Sequence, residues 1–200
     1  MMESKYGPGP WSGVTRRRFL QGTGAVAAAT ALTAQAVAQE EQKQADVLAG
    51  KTSISLTVNG QKRSVAVEPR DTLLDVLRYQ LDLTGAKPVS SDGSSGASTV
   101  ILDGKPVTAS TTLAITCRDK SVQTVESLAG DAVPQAFVNH DAQQCGFCTP
   151  GFVVAVRAFL DKNPDATEAQ IREGLNGNIC RCGTYAGIVQ AAIEVVKGGR

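Results

Sequence analysis

Four of the chain's five cysteines fall in two short pairs, Cys145-Gly146-Phe147-Cys148 and Cys180-Arg181-Cys182. Thiolate sulfur is a soft, anionic ligand that suits zinc, copper(I) and iron-sulfur clusters, and two close pairs separated by a helical stretch can converge on one metal site. The competing chemistry is a disulfide. A bridge within Cys180-Arg181-Cys182 would be strained, while the two-residue gap between Cys145 and Cys148 occurs in redox dithiols and metal sites alike. Spacing favours a metal and leaves zinc and iron-sulfur both open.

The remaining reactive side chains read as structural. Cys117 lies outside both pairs and is expected to be a small buried apolar group. His140, the only histidine, ends a predicted helix shortly before Gln144, with no serine or cysteine nucleophile arrangement around it. Arg181 either tunes the charge of the site or is a solvated surface residue. Asp92, Gly93 and Gly96 resemble a phosphate-cradling loop only weakly, because the Gly-Lys-Ser/Thr ending is missing.

The elements that must position these residues follow from periodicity. Ser53 to Val58 alternates apolar and polar, Asn59-Gly60 is a hairpin turn, and Arg63 to Val67 alternates again. Asp71 is expected to cap a helix whose apolar face holds Leu73, Leu74, Val76, Leu77 and Leu81. A Ser/Gly-rich loop, Val89 to Ser98, precedes a strand at Thr99 to Leu102 and a turn at Asp103-Gly104, with further strands expected over Val107 to Cys117 and Val122 to Val125. Beyond Gly130 the pattern is helical: Val133 to His140, a second helix carrying Phe152, Val153, Val156, Phe159 and Leu160, a third opened by the capping box Thr167 to Gln170 and ending at Asn176-Gly177, and a fourth with Ile188, Val189, Ala192, Ile193 and Val196. The cysteines therefore sit at helix junctions, in an α+β chain whose second half is a four-helix bundle.

At 200 residues, with 42% hydrophobic and 20% charged residues, the composition is that of a globular protein of one or two small domains. A net charge of +1 and 4% aromatic residues give no support for a nucleic-acid surface. The first stretch is an address. Thr15-Arg16-Arg17-Arg18-Phe19-Leu20 sets an arginine pair before a mild apolar run, too short to span a membrane, and Ala36-Val37-Ala38 offers a cleavage site before Gln39. Twin-arginine export carries proteins already folded, commonly with a cofactor installed, to the periplasm. That fits a metal-loaded cysteine quartet and weakens the disulfide reading.

Taken together, Gln144-Cys145-Gly146-Phe147-Cys148-Thr149-Pro150-Gly151 and Gly177-Asn178-Ile179-Cys180-Arg181-Cys182-Gly183 resemble the iron-sulfur subunit of the molybdenum hydroxylases, the xanthine dehydrogenase and aldehyde oxidoreductase family, and the export signal resembles its periplasmic aldehyde oxidoreductase members. The resemblance implies a signal peptide over 1–38, a linker over 39–50, a β-grasp domain of the 2Fe-2S ferredoxin-like type over 51–130 and a helical 2Fe-2S-binding domain over 131–200. It implies that Cys145, Cys148, Cys180 and Cys182 hold a 2Fe-2S cluster, and that Gln144 and Cys182 contact the molybdopterin of a partner large subunit. The implied role is electron transfer, without a catalytic centre in this chain, during oxidation of an aldehyde or small heterocycle. A flavin or haem subunit would accept the electrons. Rival readings are a scaffold or assembly subunit of such a complex and a four-cysteine zinc module.

The sequence departs from the family pattern in one place. The ferredoxin-type loop of the family reads Gly-Cys-Asp-x-Gly-x-Cys-Gly-Ala-Cys-Thr-Val with a later fourth cysteine. Here the four ligand positions are Ser90, Ser95, Ser98 and Ser110, and the first glycine is Val89. A neutral hydroxyl is a hard, weak substitute for thiolate on iron, so this loop is expected to hold no cluster and the chain to carry one cluster instead of two.

Overall fold

The computed structural model describes residues 49–198 together with residues 15 and 17, so the signal peptide and most of the linker lie outside the described residues. Strands β1 (Thr52–Val58) and β2 (Gln61–Val67) pair antiparallel, with Val58 opposite Gln61 and Thr52 opposite Val67. Their alternation puts Ile54, Leu56, Val58, Val65 and Val67 on one buried face. With β3 (Thr99–Leu102), β4 (Lys105–Thr108) and β5 (Ser121–Gln123) they form one mixed sheet in the order β2-β1-β5-β3-β4, in which only β1 and β5 run parallel.

The first helix, α1 (Leu73–Asp75), widens into a π turn over Val76–Gln80 and packs Leu73, Leu74, Val76 and Leu77 into the core under the sheet. Its cap is Thr72 and not Asp71. The Thr72 hydroxyl accepts the Asp75 amide while the Asp75 carboxylate accepts the Thr72 amide. Asp71 instead accepts the Glu68 amide at 2.8 Å and closes the preceding turn.

Two predicted strands are shorter than expected. β4 stops at Thr108, because the Thr111 and Thr112 hydroxyls both donate to the Thr108 carbonyl, at 3.2 and 2.9 Å, and turn the chain. Ala114–Cys117 then winds into a 3-10 turn. Likewise β5 ends at Gln123, and Val125 opens a second 3-10 turn, Val125–Leu128.

The second half holds α2 (Ala132–Asn139), α3 (Thr149–Lys162), α4 (Glu168–Gly174) and α5 (Tyr185–Gly198). Asp131 caps α2 by accepting the Val133 amide, and Thr167 with Gln170 forms the expected capping box on α4. Phe137, Phe152, Val156, Leu160, Ile171, Ile188 and Ala192 share one core. A third, small cluster of Ile101, Val154 and Ala158 joins β3 to α3, so the sheet and the helices are in direct apolar contact.

Candidate metal centre

Cys145 lies in the loop between α2 and α3, Cys148 is the residue from which α3 starts, and Cys180 and Cys182 occupy the connection from α4 to α5. Two helix junctions thus bring the cysteine pairs together. Cys180 is buried and Cys148 half-buried, whereas Cys145 and Cys182 are exposed. Across the two junctions Cys148 is hydrogen-bonded to Cys180, and Cys182 lies against both the backbone and the thiol of Cys145, while within the second motif the Cys182 backbone also bonds to the Cys180 thiol.

The inner pair is polarised. Burial pushes the Cys148 thiol up to about 12, and its hydrogen bond to Cys180 and the nearness of that sulfur add to the effect. Burial also raises Cys180, but hydrogen bonds from the Thr184 side chain and backbone and from Cys148 outweigh it and bring the thiol down to about 7. The two shifts are opposite in sign, as befits the donor and the acceptor of one hydrogen bond: Cys148 keeps its proton and shares it with Cys180. Binding a metal replaces such protons.

Around Cys180 the structure supplies partners that its spacing alone did not reveal. Thr184 Oγ1 lies 3.2 Å from its sulfur, and the Tyr185 hydroxyl accepts its amide at 2.8 Å. Phe152 meets the Tyr185 ring edge-on, with centroids 6.1 Å apart, and backs that contact from the core. The only hint in the sequence is position, since Thr184 and Tyr185 directly follow the last cysteine motif at the start of α5.

Four thiolates in two cross-junction pairs suit a binuclear iron-sulfur cluster, which takes two ligands at each iron. A single tetrahedral zinc would need all four sulfurs about 3.8 Å from one another, given zinc-sulfur bonds near 2.3 Å. All five cysteines lie among the described residues, and none is bridged.

The serine quartet shows a parallel arrangement. Ser90 and Ser95 hydroxyls are 2.7 Å apart, and the Ser98 hydroxyl donates to Ser110 Oγ at 3.0 Å. The Ser95 and Ser110 amides donate back to Ser90 and Ser98 Oγ. Asp92 accepts both the amide and the hydroxyl of Ser94, and the backbone bond is the first reason that its carboxyl stays below the ordinary carboxylate range. That makes Asp92 the closing residue of a turn.

The other side chains sit as follows. Gln144 is exposed beside Cys145, and Arg181 is exposed between its two cysteines. Cys117 is fully buried, with its thiol raised chiefly by burial. His140 Nε2 lies 2.6 Å from Glu194, which also accepts from Asn139, so the histidine ties α2 to α5.

Residues 124–193 match the family of 2Fe-2S binding domains, and residues 13–33 match the twin-arginine translocation pathway signal sequence. The chain is 42% identical over 151 residues to the nicotinate dehydrogenase small FeS subunit of Eubacterium barkeri, covering 74% of this chain and 96% of that one. It is 34% identical over 204 residues to the aldehyde oxidoreductase iron-sulfur-binding subunit PaoA of Escherichia coli, covering 92% and 89%. Among solved structures it is similar to quinoline 2-oxidoreductase from Pseudomonas putida 86, with TM-score 0.70 and 39% identity over 73% of this chain and 93% of that one. It is also similar to the aldehyde oxidoreductase from Desulfovibrio desulfuricans, with TM-score 0.69 and 40% identity, where it spans 17% of a longer chain. No helix among the described residues is long and apolar enough to cross a membrane.

Proposed function

The chain belongs to the small iron-sulfur subunits of the molybdenum hydroxylase family, and from that premise we propose that it serves a periplasmic complex by carrying electrons through a single 2Fe-2S cluster held by Cys145, Cys148, Cys180 and Cys182. The twin-arginine signal supplies the address, and the family supplies the setting of a multi-subunit oxidoreductase. When bound, the cluster takes up and releases one electron at a time.

The observation that carries the site assignment is the cross-junction pairing of the four sulfurs. The inner pair sits deeper, Cys148 half-buried at the start of α3 and Cys180 buried with its amide on the Tyr185 hydroxyl. The outer pair, Cys145 and Cys182, stays exposed together with Gln144. This asymmetry suits a centre whose exposed edge meets the molybdopterin of a partner large subunit, with Gln144 and Cys182 as the contacting residues.

The same reading divides the chain into a signal peptide over 1–38, a linker over 39–50, a β-grasp ferredoxin-like domain over 51–130 and a four-helix 2Fe-2S-binding domain over 131–200. The mixed sheet around α1 supports the first folded part, and the single helical core supports the second. Ser90, Ser95, Ser98 and Ser110 stand at former cluster positions, whose hydroxyls bond to one another. Electrons then leave to a flavin or haem acceptor without a second iron centre in this chain. The substrate is an aldehyde or a small heterocycle, oxidised in the large subunit.

Iron analysis and electron paramagnetic resonance on the anaerobically purified protein test this. The expected result is about two irons per chain and one reduced-cluster signal. Zinc in place of iron would overturn the electron-transfer role, and about four irons with two signals would overturn the single-cluster assignment.

A further inference from the structure

Loop 90–98 does more than mark a lost site. We propose that it is the clamp that sets the spacing of the two cysteine motifs, with Asn178 as the positioning residue; the proposal rests on the cluster assignment above. Asn178 lies two residues before Cys180 and is 8% exposed. Its Nδ2 donates to the Gly96 carbonyl at 2.9 Å and reaches Thr99 Oγ1 at 3.4 Å, and the Thr99 hydroxyl donates to the same Gly96 carbonyl at 2.6 Å. One residue on, the Ile179 amide donates to the Ser95 carbonyl at 3.0 Å. The segment leading into Cys180 is therefore pinned to the serine loop by both side chain and backbone.

The other motif is pinned to the same peptide. Gly151, three residues after Cys148, sits so close that an added Cβ would collide with the Gly96 carbonyl and come within 3.0 Å of Ala97 Cα. Gly96 itself has φ +66°, and a Cβ there would lie 2.6 Å from Asn178 Nδ2 and 2.7 Å from the Gly177 carbonyl. One peptide is thus wedged between the start of α3 and the segment before Cys180, with no room for a side chain at either glycine. Any displacement of it changes the separation of Cys148 and Cys180 without touching a sulfur.

The serines give the wedge its shape. Ser90 with Ser95, Ser98 with Ser110, and the Ala97 amide on Ser95 Oγ close the loop on itself by hydrogen bonds alone. Asn178 would act through the peptide it holds, as residues behind metal ligands commonly do by fixing ligand orientation.

The full-length exported chain, purified anaerobically as wild type, Asn178→Leu, Thr99→Val and Thr99→Ser, provides the test. The readouts are the paramagnetic signal and midpoint potential of the reduced cluster and the rate of iron release to a chelator. Asn178→Leu is expected to broaden the signal and release iron about tenfold faster. Thr99→Val should move both in the same direction by less, and Thr99→Ser, which keeps the hydroxyl, should match wild type. Should Asn178→Leu not fold, Thr99→Val decides, because valine keeps the shape of threonine. A wild-type signal, potential and release rate in the folded variants would overturn the clamp, even with a lowered Tm. A wild-type chain without iron would overturn the cluster assignment and the clamp with it.

Discussion

A serine differs from a cysteine by one atom, and on the proposed reading that atom is what makes Ser90, Ser95, Ser98 and Ser110 a hydrogen-bonded loop in place of an iron site. The hydroxyls pair as Ser90 with Ser95 and Ser98 with Ser110, which is the two-by-two pattern that a binuclear centre requires of its ligands. Backbone amides of Ala97 and Ser110 point at the same oxygens, as they would at thiolate sulfurs. Thiols in those four places would find themselves in the same two pairs, whereas the hydroxyls lack the charge and softness that iron takes from thiolate. Changing all four serines to cysteine is expected to raise iron from about two to about four per chain and to add a second paramagnetic signal. Iron that stays at the wild-type level in the folded variant would mean that the loop no longer presents its side chains to a common centre.

At the scale of elements, the clearest test of what positions the site lies at α4. Its capping box sits 11 residues before Asn178, with the Thr167 hydroxyl accepting the Gln170 amide at 3.4 Å and Gln170 Oε1 accepting the Thr167 amide at 2.9 Å. Thr167→Ala should cost about 1 kcal/mol of stability, read from denaturant unfolding, because the Gln170 amide loses its side-chain acceptor. It should leave the cluster signal unchanged, since the cap lies at the end of α4 remote in sequence from both cysteine pairs; a shifted signal would show that the cap also governs the site. This box was legible in the sequence, as was the hairpin at Asn59-Gly60, because both rest on side chains acting within four residues of their own position. The strand expected over Val107 to Cys117 was not, because three threonine hydroxyls compete with the ladder for the Thr108 and Leu113 carbonyls and win locally. The cap at Thr72 differed from the expected Asp71 by one residue, since a free carboxylate suits either the Glu68 turn or the helix and only tertiary packing chooses. For the site itself, the cysteine spacing announced a metal, but the seat of Asn178 on Gly96 joins residues 82 positions apart, and no local pattern encodes that.

For the whole molecule, the export signal and the site constrain each other in time. Of the inner sulfurs Cys180 is buried and Cys148 half-buried, and the serine loop is bonded to the segment before Cys180 and packed against Gly151 after Cys148. Iron must reach them before this core closes, or must wait for local opening of the helical half. The twin-arginine signal over 13–33 favours the first order of events, because that pathway carries proteins after folding. Changing the arginine pair to Arg16→Lys and Arg17→Lys should hold the precursor in the cytoplasm, and that precursor should already contain about two irons per chain. Fractionation with iron analysis reads both outcomes. A retained precursor that is folded but free of iron would mean that the metal enters after export, and that the four thiols are open enough in the folded chain to be filled from outside.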